Sequence, residues 1–243
     1  MDSGIAVGFA LFVLSSLIVG ARLLLLARRT GEVPELAIGV ALVAGGGLSF
    51  PLLIGALLVG DRSSPVATFA IIVGTFCGHL GAASLALAVR HIFRPTEPWA
   101  RVLQLGLTGV LVMALAARAS DPAEIPLPGY VFWPGMLGSL SIYAWSAAES
   151  FRLWSLMRRR VALGLANPAL ARRFLLWGIA AAAACGIFTS TLINRSLDPA
   201  HMHPTLLLLQ TLFGVTAAVG IWLAFFPMRR RKVSPGHPAP HSL

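Results

Sequence analysis

The chain has 243 residues, 57% of them hydrophobic and only 12% charged, with a mean hydropathy of +0.81; a water-soluble domain carries about a quarter of its residues charged. The formal net charge of +10 does not signal nucleic acid, because the arginines stand at the ends of long apolar runs, where the anionic head groups of a lipid bilayer are the natural partner. These features exclude a soluble enzyme and a nucleic-acid-binding domain and predict an all-α integral membrane protein.

The first apolar run, residues 4–27, has its basic residues after it and none before it, the reverse of a cleaved signal peptide, so it is expected to stay as a first helix. Six further runs follow at 34–59, 66–93, 99–117, 131–157, 173–193 and 205–228, each long enough to cross about 30 Å of hydrocarbon at about 1.5 Å per residue. Pro34, Pro65, Pro98, Pro128, Pro168 and Pro204 stand at or just before the starts of the second to seventh runs, where a missing N–H costs nothing. The expectation is therefore a single seven-helix membrane domain over residues 1–228, followed at 229–243 by a basic tail rich in Pro and His.

Charge predicts the orientation. Sixteen basic residues, in clusters such as Arg28 and Arg29, Arg158 to Arg160, Arg172 and Arg173, and Arg229 to Lys232, fall on one side of the seven crossings; only Arg62, Arg118 and Arg195 fall on the other. The positive-inside rule places the N-terminus outside and the C-terminus in the cytoplasm. Lys232 is the only lysine and alanine is abundant, a composition that points to a GC-rich bacterial genome and an inner-membrane location. Trp99, Trp133, Trp154 and Trp177 lie near run ends, where indole rings anchor helices at the interface.

Polar groups within the runs are the candidates for function, because hydrocarbon makes them costly. In the second run Gly45-Gly46-Gly47 and Pro51 weaken the hydrogen-bond ladder and predict a kink or break near mid-depth. His79, about 20 Å along the third run, sits at the same depth. It is either a ligand-contacting or proton-carrying imidazole or a neutral ring bonded to a neighbour; haem would need a second His at that depth, and none is present. The fifth run carries Ser139, Tyr143, Ser146 and Ser150 on one face, next to Glu149, the only acid well inside a run, about 27 Å from its outer end. Arg152 follows one turn later, and Arg22 of the first run lies at nearly the same depth, so a Glu149–Arg cluster is expected near the inner head groups, as a switch or as a structural ion pair.

After the fifth run, Arg158, Arg159 and Arg160 and then Arg172 and Arg173 bracket residues 161–171, a stretch expected to dock a cytoplasmic protein or lie on anionic lipid. Outside, Asp198, His201 and His203 lie within six residues; metal binding would require a further ligand, and a polar loop explains them as well, so neither a metal nor any other cofactor is expected. Cys77 and Cys185 lie inside apolar runs, which argues against a disulfide. With no lysine in any run, a retinal Schiff base has no attachment point, and no nucleotide-binding or nucleophile-elbow pattern occurs.

The outer loops are too short to hold a large ligand, so the leading expectation is a sensor or adaptor: a seven-helix protein that responds to a small or lipophilic signal and acts through a cytoplasmic partner. The alternative is a small-solute or proton carrier with a path near His79 and Glu149. A membrane-embedded enzyme ranks third, for want of a dense cluster of polar groups. Faces of small residues leave room for a homo-oligomer.

Overall fold

The computed structural model describes residues 3–58, 64–120, 129–198 and 203–226, with side chains from Val7 onward. These residues are all-helical and contain no strand. In chain order the elements are α1 (Ser3–Thr30), α2 (Val33–Val40), a π-helical segment (Ala41–Ser49), α3 (Phe50–Leu58), α4 (Pro65–Phe93), α5 (Pro98–Ser120), α6 (Gly129–Ala162), α7 (Pro168–Leu197) and α8 (Pro204–Phe225). The second to fourth are continuous, so the described residues form seven rods.

Prolines and caps fix the starts. Pro65, Pro168 and Pro204 occupy first turns, and the residue before each caps the helix: Ser64 Oγ accepts from the Ala67 N–H, Asn167 Oδ1 from Ala169 and His203 Nδ1 from Thr205. These bonds satisfy N–H groups that have no partner within the helix. Pro34 and Pro98 also lie in first turns, whereas Pro128 is outside the described residues. Gly164, at φ +72°, ends α6: the Leu165 N–H reaches the Arg160 carbonyl at 2.8 Å and the Gly164 N–H reaches Val161 at 3.0 Å. A residue with a Cβ is strained in this left-handed cap.

Several details refine the expectations. Among the described residues six helical stretches are long and apolar enough to cross a membrane, and α6 is not one of them. It is 34 residues long, but its polar stripe and arginines lower its apolar character. The glycine-rich run of the second rod does not break; it widens into a π-helix and continues. The stretch at 161–171 divides between the last residues of α6, which runs on to Ala162, a turn, and the start of α7 at Pro168, which puts Arg172 and Arg173 inside α7. Trp177 is not an interfacial anchor: its indole N–H donates to Ser146 Oγ at 2.9 Å.

Short connections at 31–32, 94–97 and 163–167 make successive rods antiparallel. The rods close a ring: α1 packs on the second rod, that rod on α4, α4 on α6, α6 on α7, α7 on α8, and α8 back on α1. α5 packs on α4 and α6 and leans on their seam from outside, with Val102, Val112 and Met113 exposed. The end of the ring that carries the three short connections also carries Arg28, Arg29, Arg94 and Arg158 to Arg160 and is called the basic end below. A buried apolar core lies toward it, where Ala82, Leu85, Ala86 and Val89 of α4 meet Ala100, Leu111, Ile142 and Trp145. The other end is less tightly filled, and the cavity described next opens there.

Candidate functional site

The seam between the π segment and α4 forms the floor of the site. A Cβ on Gly81 would lie 2.6 Å from both the Cα and the N of Gly45, so here two backbones touch. Beside this contact Gly78 faces Ser49, whose hydroxyl a Cβ would approach to 2.8 Å. Widening of the helix over Gly45 to Gly47 adapts the second rod to this approach; π segments inside α-helices recur at functional sites.

Beyond the seam, away from the basic end, lies a chamber of about 420 Å³. Four aromatic rings, those of Phe50, Phe132, Tyr143 and Phe188, form much of its wall, with Tyr143 and Phe188 in contact at 5.3 Å between centroids. Polar groups are few and dispersed: Ser49, Thr75, His79, Ser139, Thr191 and Asn194, with Arg118 and Arg195 from the last turns of α5 and α7. A mostly apolar wall with a few fixed polar groups is the usual make-up of a small-molecule site, and the volume falls within the usual range of about 300–1,000 Å³.

His79 occupies the corner where α4, α5 and α6 meet. A Cβ on Gly135 would lie 3.2 Å from its Nε2, so the absence of a side chain at 135 is what admits the ring. Its Nδ1 is buried and makes no hydrogen bond, although the Leu111 backbone lies beside the ring.

A second cavity of about 80 Å³ lies closer to the basic end, against α1 and α8, lined by Phe12, Ser16, Ser146, Trp177 and Phe225 among others. Tyr143 lines both cavities. The face of α6 that the sequence marked as polar thus divides by depth. Ser139 and Tyr143 face the large chamber, Tyr143 and Ser146 the small one, and Ser150 Oγ donates to the Ser146 carbonyl at 2.6 Å.

Glu149 lies about 9 Å further along α6 than Tyr143 at the helical rise and lines neither cavity. It is 6% exposed and accepts from two guanidinium groups: Arg94 Nε at 2.7 Å on Oε1 and Arg152 Nη1 at 3.1 Å on Oε2. Arg94 caps α4 and lies over the Trp99 ring at 5.3 Å, and Trp99 in turn meets Trp145 of α6 at 6.2 Å. The cluster ties the turn between α4 and α5 to α6. Arg22, expected here, is elsewhere: it donates to the Phe225 carbonyl at 3.3 Å and lies over the Phe226 ring at 4.4 Å, joining α1 to the end of α8.

The remaining candidates are not gathered into a site. Arg158 lies over the Trp154 ring at 5.5 Å at the basic end, and Leu163 and Leu165 stand exposed in the turn that follows. Asp198 ends α7, His203 caps α8 with its backbone N–H bonded to Asn194 Oδ1 at 2.9 Å, and His201 lies outside the described residues. No group of three or more metal-ligating side chains occurs among the described residues. Cys77 and Cys185 are both free thiols.

Fold and composition define a multi-pass α-helical membrane protein. The chain matches no protein family, no curated protein and no solved structure.

Proposed function

We propose that this protein is a seven-crossing membrane sensor of the bacterial inner membrane that takes a small, largely apolar signal into the chamber and acts through a cytoplasmic partner at the basic end. The N-terminus lies outside and the basic end faces the cytoplasm and its anionic head groups, as the arginine distribution favours. α6 is the seventh crossing. Its apolar shortfall comes from side chains turned inward, since Ser139, Ser146, Glu149 and Ser150 are all buried.

One observation carries the reading. The single uninterrupted helix α6 lines the chamber through Ser139 and Tyr143, holds the Glu149 ion-pair cluster further along, and ends in Arg158, Arg159 and Arg160. A rigid helix with a ligand at one end and a charged surface at the other transmits any tilt or rotation that the ligand favours, provided the ligand binds the two arrangements differently. Glu149 is the pivot: its ion pairs hold α6 to the α4–α5 turn in the arrangement described. The carrier reading has support in Tyr143, which separates two cavities in series, but its path would have to include Glu149, which lines neither of them.

The test separates binding from output. Neutralising Arg158, Arg159 and Arg160 together to Gln is expected to abolish capture of a specific partner by crosslinking in native membranes, while the purified variant keeps whatever small molecule copurifies with wild type, read by native mass spectrometry. If partner capture and bound molecule both survive, the docking assignment fails and solute or proton flux becomes the activity to measure.

A further inference from the structure

We infer that the chamber recognises a compact aromatic molecule by a neutral hydroxyl or carbonyl group at its inner end, held by Ser49 and Ser139; this rests on the sensing role proposed above and names its ligand class. Unspent hydroxyls are the ground for it. Elsewhere in the helices, Ser150, Ser190, Thr211 and Thr216 donate to the carbonyl one turn back at 2.6–3.0 Å. Thr191, which also lines the chamber, donates to the Ile187 carbonyl and accepts from Gln210 Nε2, each at 3.0 Å. Ser49 and Ser139 are each 5% exposed and line the chamber, yet neither hydroxyl forms a hydrogen bond among the described residues. A buried hydroxyl left without a partner is costly, so water or a ligand must supply one. A hydrocarbon pressed against the two serines strips their water and returns no bond, whereas a hydroxyl or carbonyl returns it.

Position sets the rest. Ser49 ends the π segment, facing Gly78 of α4, and Ser139 lies on α6 one turn from Tyr143. A Cβ on Gly45 would lie 4.0 Å from Tyr143 Oη, which puts that hydroxyl on the chamber floor. The two serines therefore hold the inner end from different rods. Arg118 and Arg195 stand about 10 Å further along their helices than Leu111, which meets Gly138, and Phe188, which meets Tyr143. An ionised group at the inner end would thus lose its hydration with no Asp, Glu, Lys or Arg side chain beside it among the described residues. The rings of Phe50, Phe132 and Phe188 suit an aromatic body. A cavity of about 150 Å³ suffices for benzene, so about 420 Å³ holds a ring with short substituents.

The probe is 4-fluorophenol, compared with 4-fluorotoluene by fluorine NMR on the purified full chain in neutral detergent. Affinities are referred to the probe concentration in the micelle, so that partitioning cancels. The phenol is expected to bind about ten-fold tighter, as one hydrogen bond recovered in an apolar wall implies. Ser49→Ala combined with Ser139→Ala should bring the phenol down to the affinity of the toluene. The toluene should bind that variant as well as wild type or better, which separates lost hydroxyls from a lost fold. Met136→Trp, which fills the chamber, should remove binding of both. A preference for the phenol that survives the double substitution would overturn the two serines as its source. 4-Fluorobenzoate should gain nothing from them; an affinity that falls in the double variant as the phenol's does would overturn the neutral end. Equal binding of phenol and toluene, both lost in Met136→Trp, would overturn recognition by hydrogen bonding while leaving the sensing chamber intact. Binding that Met136→Trp leaves unchanged, or no binding by either probe to wild type, would overturn both.

Discussion

Glu149 accepts from two guanidinium groups of unequal burial, and the inequality assigns their weights. The Arg94 side chain is 20% exposed and that of Arg152 53%. A half-exposed ion pair is worth about 1 kcal/mol or less, whereas a buried charge left alone is expensive. Arg152→Ala should therefore barely move the melting temperature. Glu149→Gln should cost about 1–3 kcal/mol, because it strands Arg94 between α4 and α6. Arg94→Gln combined with Glu149→Gln should recover part of that loss, since neither charge is then unpaired. Thermal unfolding of the three variants in detergent checks the order; equal losses for Arg152→Ala and Glu149→Gln would contradict it. At this scale the sequence revealed the acid, its depth and its near partner Arg152, but not its more buried partner Arg94. Counting along a helix gives height and says nothing of the direction a side chain faces, so Arg22 and Arg94 were equally eligible until the ring of helices turned one toward α8 and the other toward α6.

The second rod and α4 carry the packing argument at the scale of elements. Gly81 lies backbone to backbone against Gly45, while Gly106 and Gly109 of α5 have open space where a Cβ would go. Gly81→Ala must push the rods apart and should cost about 1–3 kcal/mol. Gly106→Ala should be neutral or stabilise by up to about 1 kcal/mol, because it only removes freedom from the unfolded chain. Chemical or thermal unfolding of the pair tests this; a harmless Gly81→Ala would mean that the π seam is not the rigid floor of the chamber. Helix starts were legible in the sequence because a proline and a capping side chain act locally, as at Ser64–Pro65 and Asn167–Pro168. The π widening was not, because three glycines permit a break, a kink or a bulge alike, and only the close approach of α4 selects among them. α6 shows the opposite effect: its polar stripe was plain in the sequence, and that same stripe is why its apolar character falls short of the other rods.

At the scale of the whole molecule, five apolar rods and the polar-striped α6 close a ring, with α5 against its outside, around two cavities that share Tyr143. The sequence foresaw the rods and a polar interior, and it put the Gly45–Gly47 run and His79 at one depth, where Gly45 and His79 do line the chamber. It did not foresee Arg118 and Arg195 at the mouth. Each stands alone near a run end, which in a one-dimensional reading is an ordinary boundary charge. Nor did it foresee that Glu149 stands apart from the chamber, which changes its proposed part from lining a path to fastening a helix.

Everything proposed about signal and output requires α6 to cross the bilayer with the chamber facing outward, so the most direct measurement is the sidedness of its two ends. In a chain with Cys77 and Cys185 replaced by alanine, a single cysteine at Ala123, before α6, and one at Leu165, just after it, are exposed in turn to a membrane-impermeant maleimide in intact cells and in inverted vesicles. The account predicts labelling of position 123 only from outside and of position 165 only from the cytoplasmic side. Labelling of both positions from the same side would mean that α6 does not cross, and the coupling of chamber to basic end would have no route.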